Sequence, residues 1–135
     1  MSIKKTHILE YAGRKQRFAR SVVAGGFIFL SGCSGRTIET GEVSSDNVRE
    51  QTIAALEKVR AALEEAESTL ENIVKITIYF KNIDDYETVK QTEFEYYSKH
   101  APSMVNEPPA STVCQIVSLS KSNMLVEFDV TALAG

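Results

Sequence analysis

The fold is decided by the stretch Pro108-Pro109-Ala110-Ser111-Thr112-Val113-Cys114-Gln115-Ile116-Val117-Ser118-Leu119, which a short turn joins to Leu125-Val126-Glu127-Phe128-Asp129-Val130-Thr131-Ala132. The two-residue period of both halves predicts adjacent β-strands. In the last strand the alternate apolar residues predict a buried face, so that Glu127 and Asp129 face away from it. A sheet that only supported the fold would not need polar side chains here, and we therefore take this pair of strands as the candidate site.

The first of these strands has two faces. One face carries Thr112, Cys114, Ile116 and Ser118, and the other carries Ser111, Val113, Gln115 and Val117. We expect Val113 and Val117 to lie on the same exposed side of the sheet as Glu127.

Length and composition indicate one soluble globular domain spanning residues 1–135. The chain has 43% hydrophobic and 24% charged residues, which is ordinary for such a domain. Its net charge of −3 provides no basic field. This charge argues against a nucleic-acid partner.

The two cysteines, Cys33 and Cys114, match no metal-binding spacing and are interpreted as buried free thiols. No long apolar run follows Met1, which predicts neither a signal peptide nor a membrane-spanning helix. We therefore expect a cytoplasmic, reduced setting, no membrane partner and no metal held by the cysteines.

Glycines mark predicted turns in the N-terminal third of the chain. Residues 6–9 predict a short first strand, and the basic residues 13–17 predict a solvated loop. Residues 21–24 and 27–30 flank Gly25-Gly26, which predicts a hairpin because a two-residue turn needs positive φ angles. The small residues 31–35 that follow would let backbone N–H groups approach a bound ligand.

Two amphipathic helices are predicted. The first runs from Ser44 or Ser45 to Ala66, with Ser44, Ser45 or Asp46 as its N-cap and with Lys58 on its solvated face. The second begins at Asp84 or Asp85 and ends at His100. Its inner stripe includes Glu93, which we expect to be partly exposed at the margin of the stripe or at a subunit contact. Residues 73–80 predict the strand between the helices, and residues 101–109 a loop.

Together these elements predict the order β-β-β-α-β-α-β-β and an α+β domain. Its mixed six-stranded sheet would carry both helices on one face. The other face would combine acids with apolar side chains, namely Ile73, Tyr79, Val113, Val117 and Leu125. Such a mixed face is typical of an oligomer interface.

The chain resembles the Rid superfamily, the reactive-intermediate deaminases also called YjgF or L-PSP endoribonuclease-like proteins. The resemblance covers nearly the whole chain. It rests on residues 22–32, Thr40-Gly41-Glu42, Gln51-Thr52 with Ala55-Leu56, Asp85-Tyr86 with Val89, and residues 109–112 leading to 126–129.

This resemblance implies a chorismate-mutase-like (YjgF-type) domain assembled as a homotrimer, with small-molecule clefts at the subunit interfaces. It implies cofactor-free hydrolysis of enamines and imines to a keto acid and ammonia. Glu127 would be the catalytic residue that positions water, and the Ser31-Gly32 backbone would border the cleft. The candidate substrate-binding residues are Ser31, Gly32, Cys33, Ser111, Phe18, Arg20 and Val113.

The sequence departs from the family at three positions. Ser111 stands where the family has an arginine that grips the substrate carboxylate, and a hydroxyl does not replace a planar cation with two parallel donors. Phe18 stands in place of a tyrosine, and Lys90 in place of an asparagine. Arg20, Arg36 or Lys90 could supply a relocated cation. We expect Arg20 to share the strand face of Phe18.

Two functions remain open at this stage. The retained Glu127 favours a divergent deaminase, because a carboxylate in a cleft needs a partner or a role. Ser111 and Phe18 favour a trimer that binds a metabolite or supports structure without turnover. A ribonuclease is disfavoured by the acidic composition.

Overall fold

The computed structural model describes residues 3–135. Met1 and Ser2, which belong to the segment for which no signal peptide is predicted, lie outside the described residues. The strands are β1 Lys5–Tyr11, β2 Arg14–Ala24, β3 Phe27–Leu30, β4 Cys33–Ser34, β5 Ile73–Phe80, β6 Ala110–Gln115 and β7 Val126–Leu133. The helices are α1 Val48–Glu65, α2 Tyr86–His100 and α3 Ser103–Asn106.

All the strands form one mixed sheet in the order β1-β2-β3-β7-β5-β6, with β4 also pairing with β7. Only β5 and β6 are parallel to each other, and the crossover between them contains α2 and α3. The predicted α+β architecture is confirmed. Six long strands are present as expected, and the seventh, β4, is only two residues long, too short for a periodic pattern.

The apolar face of β7 forms the centre of the core, as its alternation predicts. Val126, Phe128, Val130 and Ala132 are each at most 1% exposed. They belong to the same buried cluster as Ala55, Leu56, Val59 and Leu63 of α1 and Val89 of α2. Both long helices thus cover one face of the sheet.

The N-terminal ribbon is longer than predicted. The hairpin at Gly25-Gly26 is confirmed, with φ angles of 59° and 83°. The prediction of a loop at residues 13–17 was wrong, because the chain reverses at Ala12-Gly13 and β2 begins at Arg14. This end of β2 is mostly exposed and therefore carries no apolar alternation for a sequence pattern to detect.

Three other boundaries differ from prediction. The N-cap of α1 is Asn47, whose side chain accepts a hydrogen bond of 3.0 Å from the Glu50 N–H, rather than residues 44–46. The predicted loop 101–109 contains α3, which buries Met104. The strand β6 ends at Gln115 and not at residue 119, and Val117 is 95% exposed.

The faces of β6 are the reverse of those expected. Ser111 and Val113 pair with the buried Ile76 and Ile78, so both lie on the helix-covered face, and Ile73 is also buried. The uncovered face instead exposes an apolar set formed by Ile8, Phe18, Phe27, Phe29 and Leu133. None of the helices within residues 3–135 combines the length and apolar character of a membrane span.

Candidate functional site

Glu127 lies at the middle of the sheet on its uncovered face. Its β7 position pairs with Ser34 of β4 on one side and Tyr79 of β5 on the other. The carboxylate extends over Gly32, where an added Cβ would lie 1.9 Å from Glu127 Oε1. Only glycine leaves room for this side chain, so Gly32 determines where the carboxylate sits.

An open cleft of about 530 Å³ surrounds this carboxylate. We call it the Glu127 cleft, and its walls are Leu30, Ser31, Gly32, Tyr79, Ile116, Leu119, Glu127 and Asp129. The structure therefore brings together three of the predicted site residues, Ser31, Gly32 and Glu127.

The pKa of the Glu127 carboxyl is raised above its ordinary value. Burial is the main cause. The positive charge of Lys58 opposes it, Asp129 adds to it, and Arg36 opposes it more weakly. A carboxyl whose pKa moves toward neutrality exchanges protons more readily at physiological pH.

Ser31 is held firmly at the edge of the cleft. Its hydroxyl donates a 2.5 Å hydrogen bond to the Ala19 carbonyl, and its N–H donates one of 3.2 Å to the Arg20 carbonyl. The Cys33 thiol in turn donates to the Ser31 carbonyl at 3.6 Å. These bonds make residues 31–33 a rigid wall, which we call the Ser31–Cys33 partition.

A polar cluster lies on the other side of this partition. It surrounds a cavity of about 20 Å³, the inner cavity, lined by Leu9, Tyr11, Arg20, Ser31, Gly32, Cys33, Ile38 and Lys58. Lys58 Nζ donates to the Tyr11 hydroxyl at 3.2 Å, and the Arg36 guanidinium carbon lies 4.0 Å from the centre of the Tyr11 ring. Cations thus cluster on an aromatic ring beneath the cleft.

Burial perturbs the ionisation of this cluster. Desolvation lowers the pKa of Lys58 to about 8 and raises the pKa of the Cys33 thiol to about 11. The expectation that Lys58 belongs to a solvated helix face is wrong, because its side chain lines the inner cavity and its ammonium donates to Tyr11 of β1. The interpretation of Cys33 as a buried free thiol is confirmed.

Arg20 does not share the face of Phe18, contrary to expectation. The pairing of β1 with β2 is irregular between His7 and Ile8, which pair with Ser21 and Ala19, so Arg20 is an extra residue. This bulge turns Arg20 to the inner cavity, where Nη1 lies 3.8 Å from Glu65 Oε1. Phe18 instead lies on the outer surface and is 46% exposed.

Ser111 is not part of the Glu127 cleft of the same chain. It lines a separate pocket of about 260 Å³, here called the Lys90 pocket. The walls of that pocket are Ile76, Lys90, Glu93, Phe94, Tyr97, Met104, Val105, Pro108, Pro109 and Ser111. Val113 is partly buried against the core and lines neither of these spaces.

Glu93 is buried rather than partly exposed, which corrects the sequence-based expectation. Its side chain is 6% exposed, with Oε1 2.9 Å from Lys90 Nζ and Oε2 accepting a 3.0 Å hydrogen bond from the Tyr97 hydroxyl. The short helix α3 packs against α2. The periodicity of α2 by itself does not reveal that another helix buries this part of its surface. Glu93 is thereby paired with a lysine that lines the same pocket as Ser111.

Lys58 and Tyr11 are site residues that the sequence reasoning missed. The position of Lys58 directly beside the apolar stripe of its helix is the signal that could have drawn attention to it. Among residues 3–135 there is no group of three or more His, Cys, Asp and Glu side chains placed to hold a metal ion.

Comparison with known proteins identifies the family of this chain. A family model described as Endoribonuclease L-PSP matches residues 12–134. The chain is 32% identical over 116 residues to a RutC family protein of Aquifex aeolicus, covering 86% of this chain and 87% of that protein. It is 23% identical over 106 residues to a Dermatophagoides farinae protein named 2-iminobutanoate/2-iminopropanoate deaminase, covering 76% of this chain and 83% of that one.

A solved structure shows the same fold. The crystal structure of YyfA from Yersinia pestis, described as a Rid-family protein of unknown function, superposes with a TM-score of 0.84 at 23% identity. The match covers 98% of this chain and 100% of that one. By its family-model match, its sequence relatives and this YjgF-type fold, the chain belongs to the endoribonuclease L-PSP family, the Rid superfamily that its sequence resembles.

Proposed function

We propose that this protein is a cofactor-free hydrolytic deaminase of imines or enamines, with Glu127 as its general acid and base. The observation that carries the proposal is the Glu127 carboxylate held over Gly32 in an open cleft. Family membership and the deaminase name of the Dermatophagoides farinae relative support the reaction class.

Glu127 has the properties that imine hydrolysis needs. As a base, its carboxylate takes a proton from water while the water oxygen bonds to the carbon of a protonated C=N group, giving a carbinolamine. As an acid, it returns the proton to the nitrogen, and the C–N bond then breaks to release ammonia. The carboxylate takes the hydroxyl proton as the C=O bond forms, and this proton passes to the ammonia, which leaves as ammonium. An enamine is first protonated on carbon to give the imine. The raised pKa of Glu127 favours both directions of transfer.

We further propose that a homotrimer completes the site. Glu127 and Ser111 lie on opposite faces of one sheet, so a ligand that contacts both must bind between two copies of the chain. The exposed Ile8, Phe18 and Phe29 on the uncovered face provide apolar surface for such contact. Each ligand would then bind at a subunit interface.

Lys90 is the best-supported replacement for the missing arginine. Of the three cations considered from sequence, only Lys90 lines the same pocket as Ser111. Its ammonium is paired with Glu93 at 2.9 Å and is 34% exposed, so it can also meet a ligand carboxylate. The Ser111 hydroxyl can add a further donor.

The apolar walls of the Lys90 pocket favour substrates with a bulky apolar side chain. Phe94, Met104 and Val105 offer a large apolar surface beside the lysine. A small 2-imino acid would leave that surface in water, whereas a bulky apolar side chain would bury it. We therefore expect 2-imino acids with branched or aromatic side chains to be better substrates than 2-iminopropanoate.

The test is ammonia release from freshly generated 2-imino acids that carry alanine-, leucine- and phenylalanine-type side chains. We expect kcat/KM to rise at least about tenfold from the smallest to the bulkiest, since a few buried methylene groups contribute that much. Glu127→Gln should reduce turnover of every substrate about a hundredfold or more. Lys90→Met should raise KM, and Lys99→Met, on the exposed side of the same helix, is its matched control.

The outcomes separate the open alternatives. If no imino acid is hydrolysed and Ser111→Arg is also inactive, the deaminase proposal fails and the metabolite-binding trimer remains. If turnover persists in Glu127→Gln, Glu127 is not the acid and base. Sedimentation as a monomer would contradict the shared site.

A further inference from the structure

We infer that Lys58, aligned by Tyr11, is a positioning residue that keeps the Glu127 carboxylate charged from the opposite side of the Ser31–Cys33 partition. The ionisation of Glu127 is a property of the fold, while any consequence for turnover rests on the proposed function.

The geometry supports this role. Lys58 extends from α1 toward the inner cavity, where its ammonium donates to Tyr11, and the cavity wall is the same Ser31-Gly32 backbone that borders the Glu127 cleft. Gly32 has no side chain, and the Glu127 carboxylate lies directly against it. Only a thin backbone layer therefore separates cation from anion.

The surrounding charges leave Lys58 as the main counter-charge. The titratable and charged groups around the two residues are Tyr11 of β1, Arg20 of β2, Cys33 of β4, Arg36 after β4, and Asp129 of β7. Arg36 donates through Nε to the Gly41 carbonyl and stacks on Tyr11, and Arg20 is directed to Glu65. Asp129 repels Glu127. Lys58 opposes the effect of burial on Glu127 more strongly than Arg36 does.

A defined pH window follows from this pairing. Lys58 is a base with a lowered pKa, so its charge is present below about pH 8 and is lost as the pH rises through that value. Glu127 is an acid with a raised pKa, so its charge is lost as the pH falls through that pKa. Both charges coexist only between the pKa of Glu127 and the pKa of Lys58, and the pKa of Lys58 sets the upper limit of this pH range.

The direct test is a titration of the Glu127 side-chain carbonyl carbon by NMR in isotopically labelled protein. In Lys58→Met we expect the ionisation constant of Glu127 to fall about tenfold, because the carboxylate loses its counter-charge. Lys99→Met removes an exposed lysine from α2 and should leave it unchanged. An unchanged Glu127 midpoint in Lys58→Met, or an equal change in Lys99→Met, would overturn the inference.

The coupling must also act in reverse, which provides a second variant. In Glu127→Gln the midpoint of the Lys58 ammonium should fall below that of the unsubstituted protein, and an unchanged midpoint would overturn the inference. Because neither titration needs turnover, a protein without deaminase activity can still show the coupling.

Discussion

At the residue scale, Gly32 determines the site by having no side chain. Its backbone does not need the left-handed conformation that requires glycine elsewhere, for example at Gly25 and Gly26. Its constraint is contact: Glu127 Oε1 occupies the space in which a Cβ would stand. Gly32 is therefore required because it leaves room for the Glu127 carboxylate, and not because its backbone needs the conformational freedom of glycine.

We predict that Gly32→Ala displaces the Glu127 carboxylate and lowers kcat/KM for imine hydrolysis about a hundredfold, the effect of a misplacement near 1 Å. The clash should also lower the free energy of unfolding by about 1–3 kcal/mol. Steady-state ammonia release and urea denaturation measure the two effects.

The double variant tests the cause of that loss. Adding Glu127→Ala removes the atom that an alanine at position 32 would meet, so Gly32→Ala should cost almost no stability in that background. An equal loss of stability in both backgrounds would show that some other contact is responsible.

At the element scale, one buried side chain ties α1 to the start of β7. Gln51 donates through Nε2 to the carbonyls of Ser45 and Asn123, at 2.8 and 2.9 Å. Its Oε1 accepts a 2.8 Å hydrogen bond from the Leu125 N–H. A single amide thus positions the loop that delivers the chain to Glu127.

We predict that Gln51→Leu lowers the free energy of unfolding by about 2–4 kcal/mol, because three backbone groups lose their partner at once. Urea denaturation provides the measurement. The matched control is Gln91→Leu on the exposed face of α2, which should change stability by no more than about 0.5 kcal/mol. A Gln51→Leu protein as stable as this control would contradict the assigned role.

At the scale of the whole molecule, the uncovered sheet face is the feature that a single chain leaves unexplained. Phe29 is 47% exposed there, on the strand that pairs with β7 through Thr131. Large aromatic side chains exposed on a sheet face mark a contact surface. The proposed trimer would bury them and would place the Glu127 cleft of one copy near the Lys90 pocket of another.

We predict that Phe29→Glu converts a trimer into monomers, because three carboxylates would otherwise be buried without partners. Sedimentation equilibrium measures the change. Gln91→Glu adds the same charge to the exposed helix layer and should remain trimeric. If Phe29→Glu sediments as the unsubstituted protein does, the uncovered face is not the interface.

Local sequence patterns were sufficient to predict elements whose structure depends on their own residues. The glycine pair gave the hairpin at residues 25–26, and the alternation of residues 126–132 gave both β7 and the outward direction of Glu127. They were insufficient to predict the position of a side chain whose neighbours come from distant parts of the sequence. Ser111 was placed on the wrong face because β6 is mostly exposed on both sides, and its register depends on β5.

The sequence by itself determined the family and the α+β order of elements, because both depend on local patterns and their spacing, and the resemblance to that family identified Glu127 as the candidate acid. Only the tertiary structure decided that Lys58 and Glu93 are drawn into polar clusters, that Arg20 turns away from Phe18, and that Ser111 lies apart from Glu127. The physical reason is that burial and charge environment arise from what packs against a residue. For Lys58 and Glu93 that packing comes from β1 and from the α2–α3 region, which helical periodicity does not encode.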